Sequence, residues 1–139
     1  MKIRLEDGLP FVTVKLGRGA EELVLERVLL DTGSAATVFA VDEIATLGIV
    51  PEPADRVRRV VGIGGIELVL SKRIESLALG DVQVRDFPIQ IGAMKYGFPL
   101  QGLLGTDFFV QARVVLDLGL FEVYPSSSGR SRMPESSSW

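Results

Sequence analysis

Frequent interruption is the feature that most limits what this chain can fold into. Its apolar runs, rich in Val, Leu and Ile, are short and repeatedly cut by glycine-bearing turns. Phe11 to Leu16 reads as a strand and Leu23 to Leu30 as its hairpin partner, with Gly17-Arg18-Gly19-Ala20 turning between them. Arg56 to Leu70 is apolar on both sides of Gly62-Ile63-Gly64-Gly65 and reads as a second hairpin with a glycine-rich tip. Ile74 to Leu79 and Val82 to Ile91 flank a Gly80-Asp81 turn, and Val114 to Leu116 and Phe121 to Tyr124 flank Asp117-Leu118-Gly119. Two stretches break the pattern. Val41 to Leu47, with Asp42 and Glu43 in its first turn and Gly48 after its end, predicts a short helix, and Thr106 to Gln111 a second one. Many short strands with at most two short helices imply an all-β domain, closed or sandwich-like.

With 139 residues, 47% of them apolar, the chain suits one domain able to bury a sizeable core. We expect an N-terminal segment over 1–9, a folded domain over 10–124 and a disordered Ser-rich tail over 125–139, where periodicity is lost. A formal net charge of −3 gives no basic footprint for nucleic acid. The first ten residues mix charged and apolar side chains rather than forming a leader. No run approaches the ~18 apolar residues of a membrane span, so a soluble, cytoplasmic protein without a membrane partner is expected. The chain contains neither Cys nor His. That removes thiolate and Ser-His-Asp chemistry and the commonest zinc ligand, and leaves carboxylates to do any acid–base work at acidic or neutral pH.

One carboxylate stands out. Asp31 follows directly on the apolar run Val28-Leu29-Leu30 and opens the turn Asp31-Thr32-Gly33-Ser34. Such a turn is commonplace on its own. It is followed, in order, by the glycine-rich hairpin tip Gly62-Ile63-Gly64-Gly65 and by Leu103-Leu104-Gly105, two bulky apolar residues and a glycine. A phosphate-cradling role for the glycine-rich tip does not fit, because strand-like residues rather than a helix follow it.

Together and in this order, these three elements resemble the retropepsin-like aspartic proteases, over roughly Pro10 to Tyr124. The resemblance implies a closed, barrel-like retropepsin fold and an aspartic endopeptidase acting as a homodimer on peptide or protein substrates. It implies no metal and no organic cofactor. Asp31 would be catalytic, the Thr32 hydroxyl would lock the two active-site loops across the dimer, and Gly33 would let the backbone approach substrate. The flap over the substrate would run from Val60 to Glu67, with Ile63, Gly64 and Gly65 covering the peptide, and Leu103, Leu104 and Gly105 would pack beneath the active-site loop. Two carboxylates sharing a proton give the acid and the base that a peptide-cleaving water requires.

Ser34 has two readings: a substrate-side hydroxyl donating to the carboxylate, or a hydroxyl satisfied within its own turn. The second carboxylate is not evident within one copy. Asp117-Leu118-Gly119 lacks the hydroxyl residue and reads as a hairpin turn, and Asp107 reads as a helical surface or capping residue. A symmetric copy of Asp31 is the simplest source. The retroviral pattern also carries an acidic residue and an Arg that brace the dimer; the corresponding positions hold Ala35 and Thr106. The alternative function is a non-catalytic peptide-binding or dimerisation module on the same fold.

Overall fold

The computed structural model describes residues 1–62 and 65–127. Strands β1 (Arg4–Glu6), β2 (Leu9–Arg18), β3 (Glu21–Leu30) and β4 (Val38–Ala40) lead into helix α1 (Val41–Ile44) and a 3-10 turn (Ala45–Leu47). Then come β5 (Val57–Gly62), β6 (Gly65–Leu79), β7 (Val82–Gly92) and β8 (Gly102–Leu104), helix α2 (Thr106–Ala112), and the hairpin β9 (Val114–Asp117) and β10 (Glu122–Pro125). The helical stretch at Val41 stops at Gly48, whose φ of +76° is left-handed and natural for glycine. No helix among the described residues is long and apolar enough to cross a membrane.

Eight strands form one sheet in the order β1-β2-β3-β8-β4-β7-β6-β5. A further pairing, β2 with β6 through Lys15–Ala78, Leu16–Leu77 and Gly17–Ser76, bends that sheet back on itself into a barrel-like ring. Alternation supplies the interior: Val14 and Leu16 of β2, Leu25, Val28 and Leu30 of β3, and Leu77 and Leu79 of β6 are buried. The β2–β3 register shifts between Val12 and Val14, a local irregularity of the kind that a bulge produces. Helix α2 covers part of the interior with Phe108, whose ring meets Phe87 edge-on at 6.0 Å. A smaller apolar cluster of Val38, Val69, Met94 and Leu103 lies beside the main core and forms the floor of the site described below.

The structure extends the sequence reading in three places. Ile74 to Leu79 is not a separate strand: β6 runs unbroken from Gly65 to Leu79, through the polar stretch Ser71-Lys72-Arg73. The three-residue strands β1, β4 and β8 do not show in the sequence reading. The first residues of the chain pair with its last hairpin, with Val123 N–H donating to the Met1 carbonyl at 2.8 Å and Ile3 N–H to that of Phe121 at 2.8 Å. The expected tail lies largely outside the described residues; Ser126, near its start, donates its N–H to the Arg113 carbonyl.

Candidate active site

The site begins where β3 ends. Strand β8 lies parallel to β3, pairing Leu29 with Leu103 and Leu30 with Leu104, and antiparallel to β4. The chain leaves β3 at Asp31, whose N–H donates to the Leu104 carbonyl at 2.9 Å. One pairing therefore fixes the backbone that carries the carboxylate. Because β8 is pleated, its two leucines part company. Leu104 enters the main core and Leu103 joins the smaller cluster, just as Leu30 and Leu29 do on the neighbouring strand.

The loop after Asp31 is shaped by its own polar groups. Gly33 N–H donates to Asp31 Oδ1 at 3.0 Å and Ser34 N–H to the Asp31 carbonyl at 3.1 Å, a compact turn in which Thr32 and Gly33 are exposed. The suggested Ser34 donation to the carboxylate is not made. Ser34 is buried and its hydroxyl donates to the Ala36 carbonyl at 2.7 Å. The turn points this side chain inward, where a neighbouring carbonyl needs a donor, so Ser34 shapes the loop.

The junction of β8 and α2 braces this loop from behind. Thr106 donates its N–H to the Ser34 carbonyl at 2.8 Å and its hydroxyl to the Thr32 carbonyl at 2.9 Å. The position that lacks the retroviral Arg thus holds a brace made within one subunit. Gly105 is required here: a Cβ on it would sit 2.6 Å from the Ala36 carbonyl carbon and 2.9 Å from the Ser34 oxygen, both backbone atoms that cannot swing away.

Deeper still lies a polar pair that sequence reading did not single out. Fully buried Thr37 donates its hydroxyl to Asp107 Oδ1 at 2.8 Å and accepts the Gly105 N–H at 3.1 Å. Asp107 also takes the N–H groups of Thr37 at 3.3 Å and Phe108 at 2.8 Å. It is a bracing carboxylate, as its expected capping role suggested, but turned inward. Burial pushes the Asp107 carboxyl above its ordinary range, against the hydrogen bonds that hold it down. Its folded form therefore keeps a proton at pH values where the unfolded chain has lost it. The group's contribution to stability falls as pH rises from the ordinary Asp value through the raised one. Thr37→Val removes one donor to Asp107 and strands the Gly105 N–H. We expect a loss of about 2–4 kcal/mol in urea unfolding at pH 7, from the ~1–3 kcal/mol of each orphaned buried group. The loss should shrink as pH falls through the raised range of Asp107, where the carboxyl takes up its proton and the missing hydrogen bond no longer serves a charge.

Asp31 opens into a cavity of about 540 Å³. Its walls are the apolar side chains Leu29, Val38, Val60, Phe98, Leu100 and Leu103, and its polar members besides Asp31 and Ser34 are Glu67, Lys95 and Tyr96. The β5–β6 hairpin forms one side, with Val60 paired to Glu67 and Gly62 to Gly65. Gly65, at φ +119°, lines the cavity in a conformation few other residues adopt. Ile63 and Gly64, expected at the tip, lie outside the described residues. Glu67 and Tyr96 were missed by sequence reading, and the only available signal was an acidic residue in an otherwise apolar hairpin strand. Tyr96 donates to Glu67 at 2.5 Å, and partial burial, Glu67 and the charge of Asp31 together keep its phenol protonated. Asp117 accepts the Leu120 N–H at 2.9 Å in the β9–β10 turn, as the hairpin reading required. Among the described residues no three acidic, His or Cys side chains converge as metal ligands would.

Comparison with known proteins agrees with this geometry. The sequence model of the family described as "Aspartyl protease" matches residues 12–108, a span that holds the Asp31 loop, the β5–β6 hairpin and the β8–α2 brace. No curated protein sequence matches the chain. Among solved structures, the fold is similar to that of a retropepsin-like aspartic protease from Rickettsia conorii, with a TM-score of 0.59 over 84% of this chain and 90% of that one at 14% identity. With an Asp-Thr-Gly turn at the mouth of an apolar cavity, a hairpin beside it and a family match over most of its length, the chain belongs to the aspartyl protease family and is an aspartic-type endopeptidase of retropepsin-like fold.

Proposed function

We propose that two copies of this chain pair about a two-fold axis beside Asp31, and that the two Asp31 carboxylates share a proton and activate the water that cleaves a peptide bond. The observation that carries this reading is the state of the carboxylates in the cavity. Asp31 Oδ1 takes the Gly33 N–H, while no donor among the described residues occupies Oδ2. Glu67, the other carboxylate of the cavity, is engaged by Tyr96 and by the Met94 N–H. The mechanism needs a second carboxylate in an equivalent setting, and a symmetric copy supplies it. One member of the pair, ionised, takes a proton from water, while the other, protonated, donates to the scissile carbonyl.

The surface around Asp31 supports pairing. On the other side of the loop a shallow hollow exposes Thr32, Ala35 and Val110 beside Thr106. In this reading exposed Thr32 gives its hydroxyl to the partner copy and exposed Gly33 admits a peptide backbone. The extended cavity, apolar along most of its wall, suits a peptide segment whose side chains flank the scissile bond.

The test is a transition-state mimic. A peptide in which a tetrahedral hydroxyl replaces the scissile carbonyl should bind at least ~10²-fold more tightly than the matching substrate peptide, measured by inhibition and by calorimetry. Equal affinity for the two peptides would separate the cavity from hydrolysis and favour the peptide-binding module.

A further inference from the structure

The β5–β6 hairpin, which forms the flap, is a cantilever. The last pairing of β6 with β7 is Leu70 with Ile91, so the described residues 57–62 and 65–69 project beyond the ring. Within that stretch, Val60 and Glu67 sit opposite each other, and Val60 and Val69 pack on the smaller apolar cluster. Exposed Val57, Val61, Ile66 and Leu68 leave the rest of the flap with little apolar anchorage.

A seat for the Glu67 carboxylate is built on the last residue of β7 and the segment that follows it. Gly92 leaves room for it, since a Cβ there would sit 2.7 Å from Glu67 Oε1. Met94, buried and held at φ +53°, turns its N–H toward Glu67 Oε1 at 3.2 Å. Tyr96 donates its hydroxyl to Glu67 Oε2 at 2.5 Å. A left-handed φ is uncommon for a residue such as Met, and burial of its side chain among Val38, Val69 and Leu103 holds it there. The segment is firm at its far end too, where Gln101 donates its N–H to the Arg27 carbonyl at 3.0 Å and its carbonyl accepts the Ala40 N–H at 2.9 Å.

We propose that Glu67 is a positioning residue for peptide cleavage: it clasps its hairpin to Gly92, Met94 and Tyr96 and so holds that hairpin beside the Asp31 cavity before substrate arrives. Charge-assisted hydrogen bonds are the stronger kind, and both oxygens of this carboxylate are engaged. The clasp sits on the cavity wall, within electrostatic reach of Asp31. An entering peptide therefore meets a flap already placed, and the cost of ordering it does not fall on substrate binding. The proposal rests on the reading of the Asp31 cavity as the place of cleavage.

Two measurements on the full chain decide it: amide hydrogen exchange resolved along the sequence, and steady-state cleavage. The variants are Glu67→Ala, Tyr96→Phe and the conservative Glu67→Gln. In Glu67→Ala, amides of 57–62 and 65–69 should exchange about 10–100-fold faster, the equivalent of losing hydrogen bonds to a charged group, with β2 and β3 unchanged. Tyr96→Phe, which removes one hydroxyl at an exposed position, should show a smaller effect in the same stretch. Glu67→Gln, which keeps an acceptor for Met94, should recover most of the protection. KM should rise by about ten-fold in Glu67→Ala while kcat changes much less, since a preplaced flap acts on binding. Unchanged flap exchange in both Glu67→Ala and Tyr96→Phe would overturn the clasp, and so would faster exchange spread evenly over the ring. The exchange measurement does not depend on turnover. If the unaltered protein cleaves nothing, the Asp31 reading falls, and the clasp is still decided by exchange.

Discussion

Asp31→Asn protein should retain its fold and cleave peptides about 10²–10⁴-fold more slowly than the unaltered chain, the range expected when an acid–base group is lost. The substitution is close to isosteric, and the Asn carbonyl can still accept the Gly33 N–H that Asp31 Oδ1 takes now. The Asp31 N–H bond to Leu104 belongs to the backbone and is untouched. Melting temperature should therefore change little, while kcat collapses because an amide can neither take a proton from water nor share one with a partner carboxylate. Comparable kcat/KM values for the two purified proteins would remove Asp31 from the chemistry.

The second large effect concerns pairing. If each active centre needs one Asp31 from each of two copies, Asp31→Asn subunits should poison the unaltered ones. With the variant in roughly nine-fold excess and random pairing, only about one-tenth of the unaltered subunits find an unaltered partner, so activity per unaltered subunit falls about ten-fold. Specific activity of the unaltered protein should also rise with its concentration until dimers saturate. Thr106, where the retroviral pattern has its inter-subunit Arg, spends its hydrogen bonds on Thr32 and Ser34 of its own loop. In a paired molecule that would leave Thr106 with no hydrogen bond to give its partner, so the concentration dependence should fall in an accessible range. Unchanged activity on adding the variant, together with a sedimentation coefficient of a monomer under assay conditions, would refute the paired site.

What was legible in the sequence was local. The β2–β3 hairpin, the helical stretch from Val41 to Gly48 and the β7 strand after Gly80-Asp81 are each set by alternation and turn chemistry within a few residues. The retropepsin-like fold and the aspartic protease family were legible through the order of three short elements. Features that depend on distant partners were not. Strands β4 and β8 are three residues long, too short to show a period, and exist because β8 inserts between β3 and β4. Strand β6 looked like two because Ser71, Lys72 and Arg73 interrupt its apolar run, yet Lys72 lies 2.8 Å from both Glu52 and Asp55 and fastens the preceding loop there. The two readings of Ser34 could not be separated in sequence, because its orientation depends on how the turn packs against Gly105 and Thr106. Thr37 and Glu67 look ordinary in sequence, and each gains its role from a partner brought to it by the fold.

The parallel pairing of β3 with β8 also orders events in time. Thr32 and the Thr106 hydroxyl that secures its carbonyl are 74 residues apart in the chain. During synthesis at roughly 5–20 residues per second, the second follows the first by about 4–15 s. In that interval the ring lacks β8, and the Asp31 loop lacks both the Leu104 carbonyl and the Thr106 brace. Contacts that span so much sequence also form slowly once the chain is complete. A nascent or half-folded chain therefore carries Asp31 in an unbraced loop, which takes its final shape only after β8 and the start of α2 have docked.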